Sequence, residues 1–183
     1  MNGPRGARKG SERVNPDEQP QDLIEDILGI KPGSQLAELR RRRPEALKHA
    51  QGAYRELLMP DDPGHVSHVD RAALALRAAL REGDMALAAR FRALLEAASA
   101  QEAIMLAEDL SGAPMEGRLA ALLRYADVVV ARPEAVTQET IDALSAMGLT
   151  PRDIVAVTQL VSFVPYQVRL IAGLRAMMQE KAA

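Results

Sequence analysis

Residues 71–91 read RAALALRAALREGDMALAARF, an alanine- and leucine-rich run interrupted once, at Gly83-Asp84. Apolar positions recur at three- and four-residue steps on both sides of the break, which is the period of a helix and not of a strand. Glycine followed by aspartate closes one helix and offers a side-chain cap to the next. The run predicts two helices, Arg71–Glu82 and Met85–Ala97, packed as an antiparallel pair at the centre of the fold. Ala72, Leu76, Ala79 and Leu80 give the first helix a face on which small residues let helix axes approach closely. Aromatic residues make up only 3% of the chain and tryptophan is absent, so the core must be Leu, Ala, Val, Ile and Met.

The same period and punctuation extend along the chain. Gln21–Leu28 forms a short amphipathic helix closed by Gly29, and Ser34 caps the next. Pro44 opens a helix to Leu58 that carries Leu47, Ala50, Tyr54 and Leu57/Leu58 at helical spacing. Pro60 to Gly64 is a loop, and Ser67 with Asp70 has the form of a capping box. Ser99 is expected to cap a helix to Leu110, and Ser111-Gly112-Ala113-Pro114 breaks the chain. Glu116–Ala131 is helical, Thr137 caps a short helix ended by Gly148, and Thr150-Pro151-Arg152-Asp153 opens a long helix to Met178. Pro165 lacks a donor and clashes with the preceding turn, so that helix should kink or divide near Phe163. No segment alternates with strand period. The expectation is one all-α domain over 21–183, with a helical leader at 21–66 and a core at 67–178. Residues 1–20, rich in Gly, Pro and charge, read as a flexible tail.

A formal charge of −2 argues against a nucleic-acid binder. Arg40-Arg41-Arg42-Arg43 lies at a helix C-terminus between Glu38 and Glu45, where cations complement the dipole, and reads as a solvated end. No apolar stretch follows the basic N-terminus as a signal sequence requires, and none reaches the roughly 20 apolar residues of a membrane span. Together with the absence of cysteine, this predicts a soluble, cytoplasmic protein with no membrane partner.

The hairpin, the closing segment 118–178 and the leader SQLAELRRRRPEALKHAQGAYRELLMP resemble the alkylhydroperoxidase D-like group, also called the carboxymuconolactone decarboxylase domain superfamily. The resemblance covers about Ser34 to Met178. It implies an alkylhydroperoxidase-like helical bundle, homo-oligomeric assembly and sites near subunit boundaries. Peroxidatic members of that group carry a Glu on the first helix of the pair, a Cys-x-x-Cys after the Gly, and a His four residues beyond. Those positions fall here at Ala72, Asp84, Leu87 and Phe91. None of the four can form a thiolate, and the chain has no cysteine at all. The subgroup implied is one lacking the Cys-x-x-Cys.

Candidate chemistry is therefore sparse. Asp84 is either a carboxylate on the floor of a cavity or simply a helix cap, and Leu87 and Phe91 fill the volume of the lost dyad. Arg90 stands near the place where the resemblance puts a decarboxylase histidine. It cannot serve as a base but can clamp a carboxylate. Tyr166, Gln167 and Arg169 follow Pro165, and the polar groups among them need partners, whether a ligand, a helix end or a second subunit. His49, on a helix body, is the best acid–base candidate. His65 and His68 lie near Asp61, Asp62 and Asp70, but turn chemistry explains them, and neither a metal site nor a cofactor is expected.

Two readings follow. The first is a non-peroxidatic oligomeric or partner subunit, or a small-molecule-binding protein, whose partner could be a cysteine-bearing paralogue. The second is an acid–base enzyme of the decarboxylase type acting on a small carboxylate or lactone. It would use His49 or Asp84 as proton carrier and Arg90 or Arg169 as clamp. The long last helix is apolar on more than one face, which favours self-association.

Overall fold

The computed structural model describes residues 22–112 and 116–179, so the tail at 1–20 and the Ala113-Pro114 part of the loop lie outside it. Nine α-helices and no strand occur among the described residues. They are α1 Leu23–Leu28, α2 Gln35–Arg41, α3 Pro44–Leu58, α4 His68–Arg81 and α5 Met85–Ala97, then α6 Gln101–Glu108, α7 Arg118–Ala131, α8 Gln138–Ala146 and α9 Pro151–Gln179.

The α4–α5 hairpin is the centre of the molecule. Helix α4 packs against α3, α5, α6, α7 and α9, and every residue from Arg71 to Ala79 is buried. Alanine at positions 72, 73, 75, 78 and 79 is what lets so many neighbours reach one axis. The two arginines in this stretch survive burial because each is fully engaged. Arg71 donates to the carbonyls of Leu57, Pro63 and Val66, closing the loop between α3 and α4. Arg77 forms a fork to Asp127 on α7 at 2.7 and 2.8 Å and also donates to the carbonyls of Ala107 and Asp109.

Most helix starts follow local chemistry. Ser34, Asp84 and the Ser67–Asp70 and Thr137–Thr140 pairs all accept from first-turn amides. At the first helix the cap is Asp22, and Gly29 closes it in the left-handed conformation. Ser99 departs from expectation. It adopts φ 54° and closes α5, with its own N–H donating to Glu96 and that of Ala100 to Leu95, so α6 starts uncapped and ends at Glu108.

Helix α9 does not divide at Pro165; it runs unbroken for 29 residues. A proline inside a helix costs about 3 kcal/mol. Burial of Ile154, Val157, Leu160, Val161, Val164, Ile171 and Leu174 along both halves holds the helix together. This helix is long and apolar enough to cross a membrane by length and composition, and 44% of its most apolar window is buried inside the molecule. The helix serves as the spine of the core.

Candidate functional site

The positions that resemble a redox site are sealed. Leu87 and Phe91 are wholly buried and Ala72 nearly so. Asp84 accepts from the N–H groups of Ala86 and Leu87 at 3.1 and 3.0 Å, and its second oxygen lies 3.8 Å from Arg175. Its carboxylate is spent on capping α5 and faces no cavity described below.

A separate cavity of about 360 Å³ opens between α1, α3 and α9, at the edge of α5. Its walls are apolar (Leu23, Ile24, Phe163, Leu170), and its polar groups come from Asp22, Asp26, Gln51, Tyr54, Arg55, Arg90, Tyr166 and Gln167. Phe163 and Tyr166 stack with ring centroids 5.7 Å apart. Gln167 is 3% exposed, and its Oε1 is buried with no hydrogen-bond partner among the described residues. Leaving such an acceptor unpaired costs about 1–3 kcal/mol, so the group is poised for a donor that no described residue supplies.

The rim at α1 is built by charge. Asp22 accepts from the N–H groups of Ile24 and Glu25, from both terminal nitrogens of Arg40 at 2.9 and 3.2 Å, and from Gln51. Arg40 also pairs with Glu25 at 3.0 Å. The first arginine of the run thus leaves solvent and fastens α1 to α2, while Arg41 pairs with Glu38 in the expected exposed manner.

The structure gathers Arg90, Tyr166 and Gln167 at one cavity and leaves the other candidates elsewhere. Arg169, two residues from Gln167 and so about 200° around the helix, points outward and lies 3.6 Å from Glu82. His49 falls on the far side of α3 from Gln51; its ring is 77% exposed, with Glu45 at 3.6 Å. His68 contacts the carbonyl of Pro60, and His65 pairs with Asp153 at 2.9 Å. Sequence reasoning missed Asp22, Arg55 and the whole α1 wall. Arg55 was within reach, since it lies one turn beyond Gln51 on the side of α3 that carries Ala50 and Tyr54.

The sequence matches no family model and no curated protein. Solved structures do share its fold. An uncharacterised peroxidase-related protein from Silicibacter sp. TM1040 aligns with TM-score 0.63 at 18% identity, over 71% of this chain and 68% of that one. A peroxidase-related protein from Ralstonia eutropha JMP134, described as an alkylhydroperoxidase AhpD core, gives 0.61 at 18% identity over 72% and 70%. The chain has the all-α fold of the alkylhydroperoxidase D-like, peroxidase-related proteins.

Proposed function

We propose that the chain is a small-molecule-binding protein on an alkylhydroperoxidase-like frame, working without thiol redox chemistry. Gln167 carries the reading: it lines a cavity large enough for a small ligand, and its amide oxygen is buried with no hydrogen-bond partner among the described residues. The sealed hairpin supports it, because Leu87 and Phe91 leave no room for a peroxide at the positions that resemble the redox dyad. The acid–base alternative gains nothing from the placement of its residues. Of His49, Asp84, Arg90 and Arg169, only Arg90 lines the cavity.

The test uses a neutral apolar fluorophore, N-phenylnaphthylamine. It should bind saturably at one site per chain, and Ala50→Phe, which fills the cavity from α3, should abolish uptake while the chain stays folded. No saturable uptake by the wild type, or equal uptake by Ala50→Phe, would overturn the reading. Turnover of alkyl hydroperoxides with a thiol-recycling system should be absent, and its presence would also overturn it.

A further inference from the structure

We infer that the ligand of this cavity is an arylalkyl monocarboxylate carrying a hydroxyl at its buried end, an inference that rests on the ligand-binding reading above. Three observations converge on that chemistry.

The first concerns aromatic residues. The chain has three tyrosines, two phenylalanines and no tryptophan, and Tyr54, Phe163 and Tyr166 all line this one cavity. The other two rings, Phe91 and Tyr125, are buried in the core; the three that meet at this cavity provide stacking and edge contacts suited to an aryl group. The volume of about 360 Å³ matches that of roughly a dozen waters, enough for one ring with a short chain.

The second is the order of polar groups with depth. Gln167 is buried, whereas Arg55 and Arg90 are exposed at the mouth, one on α3 and one on α5. A ligand satisfying Gln167 Oε1 must present an O–H or N–H at its inner end, and a charged group fits only at the outer end, where it keeps some water.

The third is the sign of the charge. Among the ion pairs between described residues, such as Arg40–Asp22 and Arg169–Glu82, none involves Arg55 or Arg90. Asp22, which could have favoured a cation, already accepts from two backbone amides, Arg40 and Gln51. Asp26 also lines the cavity and has a partner of its own. Among the described residues the guanidinium groups are therefore the charges left for a ligand, and they hold carboxylates well.

The experiment is calorimetric titration of the full chain with phenylbutanoate, its para-hydroxylated analogue and phenylbutylamine. The hydroxylated acid should bind about tenfold more tightly than phenylbutanoate, and the amine at least about tenfold more weakly. The double variant Arg55→Gln/Arg90→Gln, changed only at exposed positions, should lose the preference for acid over amine while its circular dichroism and melting temperature stay close to those of the wild type. Gln167→Leu should lose the preference for the hydroxyl while keeping that for the carboxylate. An amine that binds as well as the acid, or failure of all three compounds at millimolar concentration while the neutral fluorophore still binds, overturns the carboxylate inference alone. Failure of the fluorophore itself overturns ligand binding. A hydroxyl preference that survives Gln167→Leu overturns the assignment of the inner end.

Discussion

The carboxylate of Asp153 joins segments far apart in the chain. It accepts from the N–H and hydroxyl of Thr150 at 2.8 and 2.6 Å, and from the N–H and ring of His65 at 3.1 and 2.9 Å. Burial alone would raise its pKa; the hydrogen bonds from Thr150 and His65 outweigh burial and hold the group well below the usual carboxylate range. Because the folded pKa lies below the unfolded value of about 3.9, its stabilisation is complete above about pH 4 and is lost as the pH falls further. Asp153→Asn should cost about 1.5–3 kcal/mol at neutral pH, with a gap to wild type that narrows at pH ~3. Melting curves at both pH values check this, and a gap of constant size would count against it. The helix-start half of this cluster, Thr150 with Asp153, was legible because a cap joins residues three apart. Its His65 half was not, since 88 positions separate the partners. The engagement of Arg77, whose partners on α7 and at the end of α6 lie 30 or more positions away, was hidden for the same reason. A charged residue reads as exposed until the carbonyls and carboxylate that satisfy it are placed.

Among elements, α1 has the most conditional position. It spans six residues and buries only Ile24 fully, too little to hold a helix in place by packing alone. Arg40, with 8% of its side chain exposed, anchors it through Asp22 and Glu25. Arg40→Met should loosen α1 by about 1.5–3 kcal/mol, the worth of hydrogen bonds to charged groups. Glutamyl endopeptidase should then cut faster at Glu25, and N-phenylnaphthylamine should bind more weakly, because Leu23 and Ile24 form part of the cavity wall. Unchanged cleavage would show that packing on α9 suffices. The helix itself was legible from its apolar spacing and Gly29. Its role as a wall was not, because a solvated Arg run and an ion-paired anchor have the same composition. That the helix stays undivided at Pro165 was not legible for a related reason: the local penalty is real, but burial on both sides of it is a tertiary term that no window of sequence displays.

At the scale of the molecule, one chain covers most of the apolar surface that favoured self-association. Ile154, Val157, Leu160, Val161 and Val164 are all buried within it. Outward on the first half of α9 is a stripe of Val155, Gln159, Ser162 and Tyr166, with Val155 55% and Tyr166 47% exposed, and at its end Met177 and Met178 are exposed as well. Association, if carried by that stripe, should appear as a dimer or larger species in sedimentation velocity at micromolar concentration and be dispersed by Val155→Glu. A monomeric wild type would remove the proposal. Helix order, the α4–α5 hairpin and the all-α class were legible because they rest on period and punctuation. The cavity was legible only in part, through Arg90, Tyr166 and Gln167, since it is formed by four helices meeting. The burial of α4 on every side has a consequence for how the molecule opens. No partial fraying of the bundle can bare the amides of Arg71 to Ala79 while the helices around them stay in place. Their hydrogens should exchange with deuterated solvent only when the entire chain unfolds, which makes this one helix a direct gauge of global stability.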